Sequence, residues 1–260
     1  MQVLEVASAQ ADHDDTVFIT HVPVTPGDYE YTLDEPINGV TGLDLQYALV
    51  PRSMPKIIGG YNTLIEVSVN GSTFQVELFS GESRSDVDEA DVVAEFVTRL
   101  NAAASVTTSA VYDSVSGTYA LTYTAGSGSM YFPVQTQQPM TAALLGINTP
   151  TTTIAISDVV TFGLVDLGLP KTLHLEVFVQ NRKAEQAWTK IGRATAIVPV
   201  VAAYGSFAEY SGEMNYRQVG PLRSTASMDK LRIRWTYPGT DTKVDFQGNH
   251  HVLVFGVRRM

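Results

Sequence analysis

Apolar and polar residues alternate through most of this chain, and a period of two predicts strands. Tyr29, Tyr31 and Leu33 share a face. So do Leu43, Leu45, Tyr47 and Leu49, with Asp44 and Gln46 on the other side; Glu35 to Gly42 between them is a loop or bulge. Leu64–Val69 and Ser72–Phe79 flank Asn70-Gly71, the dipeptide that best tolerates positive φ at both turn positions and so predicts a hairpin. A second hairpin, Val106 to Thr124, turns at Asp113 to Gly117. Toward the C-terminus Leu173, Leu175, Val177 and Val179 alternate with His174 and Glu176, and Leu231, Ile233 and Trp235 alternate with Arg232 and Arg234. Ala194 to Ala203 is nearly all apolar, as a strand covered on both faces would be.

One stretch breaks the pattern. Val87, Ala90, Val93, Phe96, Val97 and Leu100 recur at spacings of three and four, which predicts an amphipathic helix over 86–103 lying on a sheet. Ser85 is placed to cap it, and Asp86, Asp88, Glu89 and Asp91 suit the positive end of its dipole. A small apolar knot, Ala142 to Asn148, follows the second hairpin, and Asn148 to Thr153 reads as a linker. The expected fold is all-β: residues 1–28 an N-terminal arm and first strand, 29–150 a β-sandwich carrying the helix, and 151–260 a second sandwich, both of jelly-roll type.

Composition narrows the function. Charged residues are only 17% of the chain, so much of the surface is uncharged, as in a protein covered by partners and equally in a β-rich monomer of low charge. The net charge of −10 opposes phosphate backbones and excludes nucleic acid as a direct partner. There is no cysteine, which removes disulfides, thiolate metal sites and cysteine nucleophiles. The chain begins without a basic, apolar leader, and no segment has the roughly 18 apolar residues that cross a bilayer as a helix, so no integral membrane insertion is expected.

Candidate chemistry reduces to local structure. Asp12-His13-Asp14-Asp15 is contiguous, whereas metal ligands converge from separate elements. Asp86, Asp88, Glu89 and Asp91 lack the glycine and terminal glutamate of a calcium loop. His250 and His251 adjoin a strand and point to opposite faces. No nucleophile–base set stands out, and no cofactor is expected. The candidate partner contacts are aromatic residues in polar connections or loops, Trp188, Tyr61 and Tyr131, and the C-terminal pair Arg258 and Arg259.

The order of elements resembles structural proteins of nucleocytoplasmic large DNA viruses. Tyr29 to Pro55 is similar to their strand, "Pro-Ile-x-x-Val-x-x-Leu-x-Leu" and "Val-Pro-x-Ser" sequence, with Asn62 in the place of an asparagine ahead of the next strand. Tyr112-Asp113 with Gly117-Thr-Tyr119, then Leu144-Leu-Gly146, and finally Leu231 to Gly248 continue the likeness. Ser80 to Ser85 departs from it, where that family often carries Pro-Gly-x-Tyr ahead of the helix. The resemblance implies a non-enzymatic virion component assembled in the host cytoplasm. It would be a minor capsid protein touching the major capsid protein, other minor capsid proteins or its own copies; the alternative is a penton at the five-fold vertices. A carbohydrate- or receptor-binding fibre or spike sandwich, with Tyr61, Tyr131 and Tyr204 lining a shallow site, is the rival from another class.

Overall fold

A computed structural model describes residues 15–21, 27–126, 128–133, 139–147, 153–168, 170–181, 188–190, 196–211 and 226–259. The chain is mostly strand with one main helix, as the periodicities predict. It divides into two compact units, residues 1–54 with 170–260 and residues 55–169. The boundary expected at residue 150 does not coincide with this division. The reason is β2 (Asp28–Pro51), whose partners all come from the C-terminal part of the chain, so the second unit is an insertion in the first. The linker at 148–152 lies outside the described residues, as does the Asp12–Asp14 part of the acidic N-terminal cluster.

The discontinuous unit is an eight-stranded antiparallel sheet. Besides β2 it holds β1 (Asp15–His21), β9 (Thr172–Asn181), β10 (Trp188–Lys190), β11 (Ala196–Pro199), β12 (Phe207–Ser211), β13 (Ala226–Thr236) and β14 (His251–Arg259). The strands run β1-β14-β2-β13-β9-β10, with β11 added to β9 and β12 to β2. Leu173, Leu175, Val177, Val179, Leu231, Ile233, Trp235, Leu253, Phe255 and Val257 are all buried, each strand contributing every second residue.

The alternation in β2 slips more than once, and within Leu43–Leu49 it slips at Gln46. Leu43 and Leu45 are buried, but then Ala48 and Val50 are, and Tyr47 and Leu49 are only half-buried. Tyr47 lies opposite Val254 and Leu45 opposite Phe255, so Gln46 is an extra residue in β2. A bulge of one residue exchanges the two faces of a strand beyond it, and the expectation of one continuous face from Leu43 to Leu49 fails there. Expected bulging nearer Glu35–Gly42 is present too: the β2–β13 register shifts between Ile37 and Thr32.

The inserted unit is not a plain sandwich. It has a sheet of β3 (Leu64–Val69), β4 (Ser72–Glu77) and β7 (Met130–Tyr131) in the order β4-β3-β7. A second sheet runs β5-β6-β8, from β5 (Thr107–Asp113), β6 (Thr118–Ala125) and β8 (Val159–Phe162). Both share a core with α1 (Glu89–Ala104) and the short α2 (Pro139–Leu144). Phe96, Tyr119, Phe132 and Phe162 meet at its centre, ring centroids 5.1–6.4 Å apart. Asn70 and Gly71 take the positive φ the first hairpin needs.

The helix starts later than the acidic run. Asp88, not Ser85, is its cap: Asp88 accepts from the Asp91 N–H at 2.8 Å and its own N–H donates to the Asp91 carboxylate at 3.2 Å. That reciprocal pair satisfies two otherwise orphaned donors. Before it β4 stops at Glu77, and Phe79, Ser80 and Gly81 follow with positive φ. Glu95 holds this turn by accepting from the Phe79 N–H, and Arg99 by donating to Ser80 Oγ.

Candidate interaction surfaces

The motif residues of the sequence turn out to hold loops in place. Asn62 is fully buried; its carbonyl accepts from the Ile58 N–H at 2.6 Å and its amide donates to the Lys56 carbonyl. In the loop it ties, Ile57, Ile58 and Tyr61 are buried and only Gly60 is exposed. Tyr61 is only 4% exposed, and burial pushes its hydroxyl up to about 12. Ser53 Oγ donates to the Phe246 carbonyl at 2.8 Å. His251 is buried with Tyr29, Trp235 and Phe246 around it and shares a 2.6 Å hydrogen bond with the Tyr29 hydroxyl, while His250 is exposed. The two rings therefore have different surroundings, and His251 is a packing group.

Charges on the outer face of the large sheet are matched. Asp28 receives both Arg232 nitrogens at 2.7 and 2.8 Å and Lys243 at 2.7 Å. The Arg232 bonds, then that of Lys243, hold its carboxyl down at about 2 against the opposing effect of burial. Arg234 faces Glu176 and Asp241, and Arg258 meets Asp44 at 2.6 Å. Of the two C-terminal arginines, Arg258 is thus engaged within its own chain, and Arg259 ends β14 opposite Val40 of β2. Trp188 begins β10 opposite Gln180 of β9, and its side chain lies outside the described residues. Tyr131 is 40% exposed on β7. Among the described residues no group of three or more metal-ligating side chains converges.

Two surfaces poor in charge are present that the candidate residues did not mark. In the discontinuous unit no charged residue stands between Arg193 and Glu209. The apolar run expected to be covered on both faces is covered on one only. Ala196 and Val198 are buried, whereas Ile197, Val201 (77%), Tyr204 and Phe207 are exposed. The backbone beneath them is fixed, with Arg52 and Ser206 joined N–H to O at 2.8 Å and Gly205 and Arg52 at 2.9 Å. A pinned loop bearing apolar side chains is a ready contact surface, because little freedom is lost when it is covered.

In the inserted unit the outer face of β5-β6-β8 is made of Thr107, Ser109, Val111, Ala120, Thr122, Val159 and Thr161, with Asp113 as its charge at the turn end of β5. Ile156 and Leu164 are exposed on either side of β8. The sequence signal for this face was available, since β-branched and hydroxyl residues fill both phases of the Val106–Thr124 hairpin. Periodicity alone does not say that one phase is left uncovered.

No protein-family model matches the sequence, and no curated protein matches it. Among solved structures, the crystal structure of the mavirus penton protein superimposes with a TM-score of 0.50 at 8% sequence identity, over 95% of this chain and 100% of that one. An alignment that spans both chains almost end to end takes in the eight-stranded sheet and the insertion alike. The chain has the fold of the mavirus penton protein.

Proposed function

We propose that the chain is a structural protein of a viral capsid, of the penton type. The observation that carries the reading is the fold shared with the mavirus penton protein over 95% of the chain. It favours the penton alternative over a minor capsid protein lying between major capsid capsomers. The uncharged loop Ile197 to Phe207 and the β5-β6-β8 face, whose charge is confined to Asp113 at one end, support a role in contact rather than chemistry, because apolar surface on a chain of net charge −10 is where neighbours approach without repulsion. The partners would be capsid proteins and other copies of this chain, the place the virion, and assembly the host cytoplasm.

Electron cryomicroscopy of purified particles, with density fitted by this chain, tests the reading. The expected location is the five-fold vertex. Density between capsomers on the inner face of the shell restores the minor capsid reading, and absence from particles refutes both.

A further inference from the structure

The two edges of the β5-β6-β8 sheet are treated differently. Tyr123 of β6 donates its N–H to the Asp158 carbonyl at 3.1 Å, and Thr122 lies opposite Val159. In an antiparallel pair, alternate residues turn both backbone groups toward the same neighbour. Val160 and Phe162 therefore bond to β6, and Val159 and Thr161 turn their N–H and C=O groups away from it. β8 ends the sheet, and among the described residues nothing bonds to those four groups. At the other edge the outward residues of β5 are Thr108, Ala110 and Tyr112. Asn101 of α1 accepts from the Thr108 N–H at 2.7 Å and donates to its carbonyl at 3.1 Å, so a side-chain amide takes the place of a neighbouring strand at that residue, and the exposed Asp113 charges the far end of the same strand.

Natural edge strands are blunted by charge, proline or a bulge. Val159-Val-Thr-Phe162 has none of these, and Val159 is 61% exposed. We infer that β8 pairs with β8 of a second copy of this chain, antiparallel and centred on Val160. That register alone engages both outward residues of each strand, Val159 of one copy with Thr161 of the other. It brings the exposed Ile156 of one copy toward the exposed Leu164 of the other. Asp158 falls opposite Phe162, so no carboxylate faces a carboxylate, and Asp158 is already turned back onto the Ala155 N–H at 2.8 Å. The outer faces, which carry no charge on β6 or β8, continue across the junction. An extended segment of a foreign protein could use the same edge, but this strand matches itself at Val159, Val160 and Thr161, which a foreign segment would have to reproduce. The inference concerns two copies in solution and does not rest on the penton reading.

The chain has no cysteine, so a single one reports directly. Across the dyad Val160 meets its own copy as a non-hydrogen-bonded pair, Cα atoms about 4.5 Å apart, which is at the near end of disulfide range. Val160→Cys is expected to oxidise to a covalent dimer on a non-reducing gel, whereas Thr122→Cys, on the central strand of the same sheet, stays uncrosslinked. Val159→Pro deletes one outward N–H and no bond to β6. It should weaken self-association in sedimentation equilibrium by at least about tenfold, with an unchanged circular dichroism spectrum. Val160→Cys that folds and remains monomeric overturns the inference, as does dimerisation indifferent to Val159→Pro. If Val160→Cys fails to fold, the proline variant decides.

Discussion

The Asp28 carboxylate joins β2, β13 and Lys243, and its replacement by asparagine isolates one electrostatic contribution. Its carboxyl is lowered from 3.8 to about 2, chiefly by its bonds to Arg232. A tenfold change in proton affinity between the unfolded and folded chain corresponds to about 1.4 kcal/mol, so ionised Asp28 stabilises the fold by about 2 to 2.5 kcal/mol at neutral pH. The carboxylate is 7% exposed but Arg232 and Lys243 are 38% and 48% exposed, so solvent screening reduces this to about 2 kcal/mol or less. The folded-state value lies below the unfolded one. The contribution is therefore complete above about pH 4 and is lost as pH falls toward 2. Urea unfolding followed by Trp235, which is buried on β13, reads the unit concerned. Asp28→Asn should unfold at lower urea at pH 7 by an amount equivalent to about 2 kcal/mol, and the gap to the unmodified chain should close progressively from pH 4 to 2. A loss below about 0.5 kcal/mol at pH 7, the range of ordinary surface ion pairs, refutes the argument. So does a gap that persists at pH 2.

Three further outcomes are expected. Asn101→Ala leaves the Thr108 N–H and carbonyl unpaired and should cost about 1–3 kcal/mol in urea unfolding; Asn101→Asp, which keeps only the acceptors, should fall between. Gly146 has φ of +66°, and a Cβ there would lie 2.4 Å from the Gly163 carbonyl oxygen, so Gly146→Ala should lower the melting temperature of the inserted unit by several degrees, about 2 kcal/mol or more. Asp88→Ala removes the cap of α1 and should cost about 1 kcal/mol by chemical denaturation, with Asp88→Ser restoring most of it.

What the sequence displayed was local. Asn70-Gly71, the Asp113–Gly117 turn and the alternating runs at 173–179 and 231–235 each carry their signal within a few residues, and each forms as expected; the helix forms too, but Val92 takes the buried place expected of Ala90, which is exposed, and Val87 lies ahead of its first turn. Failures came where a distant partner decides. Gln46 carries no mark of a bulge; the slip exists because Val254 and Phe255 of β14 fix the register on either side of it. Tyr61 sits between Gly60 and Asn62, which favour an exposed loop, but Asn62 draws that loop inward. Ala194 to Ala203 is apolar in both phases, and composition cannot distinguish a face buried by the fold from one left open for a neighbour. Asn148 to Thr153 looks like a linker between domains, yet the chain returns to its first unit only at Pro170. The open edge of β8 had no sequence marker, since a missing charge or proline is informative only once the strand is known to lie at an edge.

The insertion has a consequence for how the chain is made. β2 emerges from the ribosome early, but Asp28 waits for Arg232, Tyr29 for His251 and Asp44 for Arg258, separations of 204, 222 and 214 residues. The inserted unit is contiguous and can fold as soon as residue 169 is clear. A 24-residue strand, with apolar residues that include Leu43, Leu45, Ala48 and Val50, must meanwhile stay unpaired. Contacts of such long range slow folding and lengthen exposure to aggregation. Slower translation of residues 170–260 is therefore expected to move more of the protein into the insoluble fraction even though the finished fold is unchanged.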